Sequence, residues 1–308
     1  MPSTDSSLGT VTVTFNPSLA EIAAQLRALP ETCIKVIIDN ASQLDLWAEV
    51  ESLANQFQNV HLIRCDSNLG LAAAVNRGVQ WLTTLAPSPE FVLLLDQDSE
   101  PQPASIESLL AAFQRLNVKG RKVGCVGPLL MDTNTGLTHG FHQNTALRWK
   151  RVYPPVGSAI PVQCANLNGS GTLVPLALFQ QFGGLDEALF IDHVDTEWAF
   201  RVRAHGYELW GIPNAIFEHS MGQASMRIWL FGWRVWPVRS PQRHYYLYRN
   251  ATILLKRPYV PLVWKIWAIA KLFLTAGITT ITGPARRRQI ENMWRGVKKG
   301  IGKNANCS

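Results

Sequence analysis

Charged side chains are scarce in this sequence. Only 17% of its 308 residues are Asp, Glu, Lys or Arg, while 47% are apolar. That balance suits a sheet buried on both faces or a surface that meets a membrane. Acidic residues are scarcer than basic ones, 22 against 29, so the net charge is +7. The basic excess gathers near the C-terminus, in Arg286-Arg287-Arg288 and Lys298-Lys299, close to tryptophans. Such a cluster suits an anionic surface, either lipid headgroups or nucleic acid. Cysteine is sparse and unpatterned: Cys33, Cys65, Cys125, Cys164 and Cys307 include no Cys-x-x-Cys spacing. This argues against a zinc site and for a reducing compartment. Met1 to Gly9 lack the basic start and apolar core of a secretory signal. The expectation is a protein of the cytoplasm or of the cytosolic face of a membrane.

What is present is an alternation of apolar strands and amphipathic helices. Gly9 to Phe15, Cys33 to Ile38 and Val60 to Arg64 read as strands; Leu19 to Leu29, Leu44 to Phe57 and Ala72 to Leu85 read as helices. Phe91-Val92-Leu93-Leu94-Leu95 then runs unbroken into Asp96-Gln97-Asp98-Ser99. So short an apolar run reads as a strand buried on both faces. The alternation predicts an α/β fold with a doubly wound, mostly parallel sheet. Ligands of such sheets bind beyond the carboxyl ends of the strands. Thr14, Asp39, Asn68 and Asp96 close or follow these strands and can converge on that edge. Asp96 and Asp98 share one side of an extended segment. Two oxygen donors there can hold a divalent cation and, through it, a diphosphate. On this stretch alone a surface turn has an equal claim.

The later chain changes character. His139 to Pro161 is irregular and polar-aromatic, a candidate loop over the site. Asp195 falls at an acid-rich helix start, where the helix dipole alone favours a carboxylate. His219 closes an apolar strand, and a lone histidine is more often structural than a ligand. From Trp229 the chain is aromatic and basic, then mainly apolar from Ala251 to Thr282. Ile266 to Thr282 is 17 residues with one lysine. That is short for a membrane span and reads as an interfacial helix with Trp264 and Trp267 at headgroup level. A buried core helix is the competing reading.

In this order the motifs resemble the family 2 glycosyltransferases, which have the Rossmann-like GT-A fold, over about residues 10 to 250. The residues that carry the resemblance are Thr14-Phe15-Asn16, Val36 to Ser42, Asn68-Leu69-Gly70 with Asn76-Arg77-Gly78, Asp96-Gln97-Asp98, Gly183 to Glu187, Asp195 and His219. Leu95 to Ser99, with Phe190 to Trp198, is similar to bacterial rhamnosyltransferases that use dTDP-L-rhamnose. The resemblance implies a glycosyltransferase domain at residues 1–250 and a helical, membrane-associating extension at 251–308. It implies that Asp39 accepts the imide N–H of a pyrimidine. Thr14, Asn16, Asn68 and Gln97 would line the nucleotide sugar, Arg77 would flank its base or phosphates, and Asp96 would contact the ribose. Asp98 and His219 would hold Mg²⁺ or Mn²⁺, and Asp195 would be the catalytic base. The sequence departs from the family pattern at Val194, where a glutamate usually precedes that base.

The implied reaction is transfer, with inversion, of L-rhamnose from dTDP-L-rhamnose or of another sugar from its nucleotide. The implied acceptor is a glycan or lipid-linked glycan in cell-surface polysaccharide synthesis. The expected location is peripheral, on the anionic cytosolic face of the inner membrane, with no nucleic-acid partner. A UDP-sugar donor is the main alternative. Phosphatases of the haloacid-dehalogenase type also end an apolar strand in Asp-x-Asp. Here, however, about ninety residues precede the motif, and no Thr or Val stands two residues after Asp98. A non-catalytic membrane-associated binding protein is the third reading.

Overall fold

A computed structural model of the protein describes residues 8–133, 135–145, 147–219, 225–229, 233–282 and 285–302. They fall into two compact units. The first comprises the described residues of Met1–Gln143, Lys150–Phe190 and Val194–Ser220; the second comprises those of Asn144–Trp149, Ile191–His193 and Met221–Ser308. Residues 225–250, which the sequence reading groups with the first domain, thus fall in the second unit. They include a hairpin and the first part of a helix, Pro241–Lys256, that packs on the last helix, Arg286–Gly302.

The first unit begins with β1 (Leu8–Thr14), α1 (Leu19–Ala28), β2 (Ile34–Asp39), α2 (Leu44–Ala54), β3 (Val60–Arg64), α3 (Leu71–Thr83) and β4 (Phe91–Asp96). β5 (Ser99–Pro101), α4 (Ser105–Val118) and β6 (Val123–Asp132) follow. Two short strands, β7 (Phe141–Asn144) and β8 (Trp149–Val152), form a hairpin inside the stretch expected to be irregular. The unit closes with β9 (Val162–Cys164), β10 (Thr172–Pro175), α5 (Leu176–Gln181), α6 (Val194–Ala204) and β11 (Glu208–His219).

The main sheet runs β3-β2-β1-β4-β10-β6-β11-β5, with β9 paired to β11. β1 to β4 are mutually parallel, β10 enters antiparallel, and β6 and β11 are again parallel. All seven residues of β1 are buried, as the β-branched run of threonines and valines requires between two helical layers. A Cβ on Gly78 would lie 2.6 Å from Val11, so α3 presses directly on β1. The chain goes outward from β1 through β2 to β3 and returns to β4 on the other side of β1. The strand order therefore reverses between β1 and β4, and crevices for ligands form at such a reversal.

The second unit holds a hairpin, β12 (Ser225–Trp229) and β13 (Trp233–Pro237), then α7 (Pro241–Lys256), α8 (Leu262–Thr282) and α9 (Arg286–Gly302). Ser240 caps α7 by accepting the Arg243 N–H at 3.2 Å, with proline at the first helical position. α9 lies close on α7: a Cβ on Gly300 would come within 2.7 Å of the Arg249 carbonyl oxygen. The Tyr248 hydroxyl donates to the Leu272 carbonyl of α8 at 2.6 Å. Trp264, expected at headgroup level, is instead buried at 2% exposure, edge-on to His193 at 5.5 Å. The cause is helical spacing. Trp264, Ala268, Thr275 and Thr279 share the packed stripe of α8, and Leu262, Ile266, Phe273 and Ile281 are exposed.

Candidate active site

The ends of β1 and β2 are joined by a buried polar cluster. Asp39 is wholly buried. Its carboxylate accepts the Thr14 hydroxyl at 3.2 Å, the Ser42 N–H at 3.0 Å and the Ser42 hydroxyl, and it faces Arg64 at 3.8 Å. Asp39 therefore fixes the turn after β2 by satisfying its own i+3 donors, and it keeps spare acceptor capacity on Oδ2. Asn16, at φ +48°, donates its N–H to the Ser42 hydroxyl and accepts the Gln43 N–H. Next along the edge, Asn40 donates to the Asn68 side chain at 3.0 Å and accepts the Leu69 N–H at 2.8 Å. Asn68 in turn accepts the Gly70 N–H at 2.9 Å. Gly70 stands at φ +84° against the ring of Phe190, where no side chain fits. Phe15 donates its N–H to Gln97 at 2.9 Å and so links the ends of β1 and β4.

The second cluster sits where β4 ends. Nε2 of His219 lies 3.3 Å from Asp96 and 3.4 Å from Asp98. One donor atom from each of the three residues falls within 4.8 Å of the others. Burial raises the Asp98 carboxyl from 3.8 to about 6, with Asp96 adding to the rise and His219 opposing it. Burial alone would lower His219. The Asp96 hydrogen bond and the charges of Asp98, Asp96 and Asp132 more than offset it, so its pKa is raised. Two carboxylate oxygens and an imidazole nitrogen suit a hard divalent cation such as Mg²⁺ or Mn²⁺. A buried carboxylate held above its ordinary range also gains from a cation. The residues therefore fit the metal. Nδ1 of His219 is buried without a hydrogen-bond partner among the described residues.

The turn carrying these aspartates is braced from behind. Gln25 of α1, buried at 1%, donates to the carbonyls of Asp96 and Ser99 at 2.8 and 2.7 Å and accepts the Thr12 hydroxyl at 2.7 Å. Ser99 meets Ser170 through their hydroxyls and accepts the Asp96 N–H at 3.2 Å. β5 also pairs antiparallel with β11, which sets His219 opposite Ser99. Sequence reasoning missed Gln25 and Ser170, and gave no role to Asn40, Ser42 and Ser99 although they lie in the motifs that carry the resemblance. For Gln25 the sequence signal was a glutamine on the apolar face of α1 between Ile22 and Leu26.

Asp195 lies in the first turn of α6 and is half-buried. Its carboxylate accepts the Thr196 N–H at 2.7 Å and the Thr196 hydroxyl at 3.4 Å. The neighbouring acids are committed elsewhere. Glu197 is fully buried in a two-oxygen pair with Arg201, at 2.8 and 3.0 Å. Asp192 pairs with Arg243 at 2.8 Å. Arg77 is exposed and donates to the Cys65 sulfur at 3.7 Å. Its neighbour Asn76 ties the Gly183-Gly184-Leu185 turn to α3: Nδ2 donates to the Leu185 carbonyl at 2.9 Å, and Oδ1 accepts the Leu185 N–H at 2.8 Å. The β1–β2 and β4–β11 clusters include neither Arg77 nor Asp195.

Residues 11–166 match the description of Glycosyl transferase family 2. The chain is 30% identical over 292 residues, 94% of its length and 92% of the relative's, to dTDP-rhamnosyl transferase RfbF of Shigella flexneri. The chain belongs to glycosyl transferase family 2. This glycosyltransferase is also 26% identical over 253 residues to N-acetylglucosaminyl-diphospho-decaprenol L-rhamnosyltransferase of Mycobacterium tuberculosis, over 71% of the chain and 78% of that relative. Two solved structures share its fold. GalNAc-T7 with UDP, GalNAc and Mn²⁺ aligns at TM-score 0.57 and 17% identity, over 96% of this chain and 56% of that one. Mannosyltransferase PcManGT from Pyrobaculum calidifontis with GDP-Man and Mn²⁺ aligns at 0.52 and 14%, over 96% and 87%. The mostly parallel sheet of the transferase is thus the GT-A type expected from its motifs.

Proposed function

We propose that this glycosyltransferase moves L-rhamnose from dTDP-L-rhamnose, with inversion, to a hydroxyl of a glycan or lipid-linked acceptor in cell-surface polysaccharide synthesis. The observation that carries the reading is the Asp96–Asp98–His219 cluster at the end of β4, in a chain whose relatives are named for rhamnosyl transfer. Asp98 and His219, with Asp96 beside them, would hold Mg²⁺ or Mn²⁺. Bound there, the ion supplies Lewis-acid neutralisation of the diphosphate leaving group. The Mn²⁺ in both solved relatives supports this choice of metal. Asp39 presents its remaining acceptor to the imide of the base. Thr14, Asn16, Asn68, Gln97 and Arg77 shape the nucleotide side of the site, and Asp96 serves the ribose.

Asp195 takes the proton of the acceptor hydroxyl. The acceptor oxygen bonds to the anomeric carbon as the bond to the diphosphate oxygen breaks, and the electron pair leaves with the nucleotide. One displacement from the opposite face inverts the centre. Asp192 and Glu197 are held by arginines, whereas the Asp195 carboxylate accepts hydrogen bonds from Thr196, and this supports Asp195 as the base of this segment.

The workplace is the cytosolic face of a membrane. α8 is long and apolar enough to cross one, and only 22% of its apolar 18-residue window is buried. Its exposed Ile266, Phe273 and Ile281, followed by Arg286-Arg287-Arg288, suit an interfacial helix over anionic lipid. The test compares dTDP-L-rhamnose with UDP-sugars, each with Mn²⁺, by thermal shift and by transfer. A ligand at 100 times its Kd stabilises by about 2.7 kcal/mol. Stabilisation and transfer by UDP-sugars alone would remove the rhamnose assignment.

A further inference from the structure

Asn166 stands on the approach to β10, outside both clusters. The Ala165 N–H donates to the His142 carbonyl at 2.7 Å, and an isolated antiparallel bridge joins Asn166 to His142 of β7. The asparagine is only 8% exposed. Its Nδ2 faces the Thr196 hydroxyl at 3.5 Å. That hydroxyl gives its hydrogen to Asp195, 3.4 Å away, so towards Asn166 it can only accept. The amide is thereby oriented, with nitrogen to Thr196 and oxygen away from it. Oδ1 of Asn166 is buried without a hydrogen-bond partner among the described residues. Buried amide oxygens are rarely left so.

A cavity of about 30 Å³ is lined by Asn166, Ser170, His142 and Arg151, with Leu130 and Phe141 as apolar wall. It has room for roughly two water-sized groups, so it fits one edge of a sugar ring rather than a whole ring. Two links fix its place. Ser170 meets the hydroxyl of Ser99, in the turn that presents Asp96 and Asp98. Asn166 leads through Thr196 to Asp195. The cavity thus adjoins both the turn of the metal cluster and the start of α6, and all of these residues belong to the first unit. The exposed Arg151 turns two of its nitrogens to Nε2 of His142, at 3.3 and 3.1 Å, and a guanidinium has further N–H donors to give.

An anion would suit Arg151 but has no hydrogen for Asn166. A hydroxyl donates to the Asn166 oxygen and still accepts from a guanidinium N–H. We propose that the cavity takes a hydroxyl of the transferred sugar, which donates to Asn166 Oδ1 and accepts from Arg151, making Asn166 a specificity residue for the donor. The donor sugar is favoured over the acceptor by position. A ring that hangs from the diphosphate at the metal cluster and turns its anomeric carbon to Asp195 lies beside both. The proposal rests on the reading of this chain as a transferase of dTDP-L-rhamnose.

The experiment measures Kd for dTDP and for dTDP-L-rhamnose, each with Mn²⁺, in wild type and in Asn166→Ala, with melting temperature as the check on folding. The ratio of the two constants reports what the sugar adds to the nucleotide. Losing one neutral hydrogen bond corresponds to about 3- to 10-fold, so the variant should bind dTDP-L-rhamnose weaker by that factor and dTDP within about twofold of wild type. Donor analogues lacking the 2-, 3- or 4-hydroxyl locate the group. One of them should bind wild type about 3- to 10-fold worse than the parent donor, and bind Asn166→Ala no worse than the parent does. Equal weakening of dTDP and dTDP-L-rhamnose, or an unchanged ratio, would overturn the proposal. So would a raised acceptor KM at unchanged donor Kd, which would give the cavity to the acceptor. If wild type binds a UDP-sugar and not dTDP-L-rhamnose, the donor reading falls by itself. The ratio is then taken with UDP and that UDP-sugar, and its response to Asn166→Ala still decides the role of the cavity. If Asn166→Ala does not fold, Arg151→Met decides, being exposed. It should weaken the sugar nucleotide by about 2- to 5-fold at unchanged dTDP affinity, and an unchanged ratio would refute the assignment.

Discussion

Replacing Asp98 with asparagine should make the metal-free protein more stable while removing its response to metal. Asp98 is held at about 6 against an ordinary 3.8, chiefly by burial, with Asp96 adding to the rise. That displacement corresponds to roughly 3 kcal/mol against the ionised form in the fold. The folded state binds the proton more tightly than the unfolded chain. Between pH 3.8 and about 6 it therefore carries more protons, and stability falls as pH rises through that window. At pH 7 the wild-type carboxylate bears the whole cost. Asp98→Asn removes the charge at nearly constant shape. In EDTA at pH 7 the variant should melt several degrees higher, by the rule of about 2–4 °C per kcal/mol for domains of this size. At pH 4 the difference should shrink towards zero. Excess Mn²⁺ should raise the wild-type melting temperature and leave the variant unmoved. A variant no more stable than wild type in EDTA at pH 7, or one that gains equally from Mn²⁺, would refute the reasoning.

Three further outcomes follow from named contacts. Asp195→Asn should cut transfer by about 10²–10⁴-fold, the usual contribution of a general base, with donor Kd and melting temperature held; near wild-type turnover in a steady-state assay would count against it. Glu197→Gln should act on the fold rather than on turnover. It leaves Arg201 without its buried partner, which costs on the order of 3–5 kcal/mol, and denaturant melts that coincide with wild type would contradict this. Phe273→Asp, on the exposed face of α8, should abolish co-sedimentation with anionic liposomes and leave transfer to a soluble acceptor intact. Equal sedimentation of variant and wild type would discard that face as the membrane contact.

Legibility in the sequence followed burial. β1, β2 and β4 were readable because strands covered on both faces are written almost wholly in β-branched and aliphatic residues. Their polar ends were readable as a shared edge because each apolar run closes in a residue that can hydrogen-bond, although Thr14 and Asp39 are themselves buried. The hairpin at Phe141–Asn144 and Trp149–Val152 was not legible, because its strands are short and only partly buried. β11 carries Pro213 within its length, and its pairing with β6 shifts register between Ile212 and Ile216 to accommodate it. The start of α7, before the helical extension expected from residue 251, was not read as a helix. Its sequence, Pro241-Gln242-Arg243-His244-Tyr245-Tyr246, has no clean apolar stripe, because the helix buries His244, Arg249 and Asn250. Polar residues buried for a purpose look like solvent-facing ones until their partners are known.

The same limit explains which of the expected residues the structure brings together. Asp39, Asp96, Asp98 and His219 end strands, so topology alone delivers them to one edge. Ser42, Gln25 and Ser99 hold those ends in place, and their positions depend on contacts between elements far apart in sequence. Gln25 shows the logic. A glutamine on the apolar face of an amphipathic helix costs stability unless both ends of its amide are satisfied. Here both are, by Thr12 on one side and by the Asp96 and Ser99 carbonyls on the other. Those carbonyls belong to the turn that presents Asp96 and Asp98. The helix therefore supports a pair of like-charged carboxylates that would otherwise push apart, and a bound cation would favour the same arrangement. A buried polar brace behind two neighbouring carboxylates is unexplained as packing and explained as preorganisation, because the turn is already shaped before any ligand arrives.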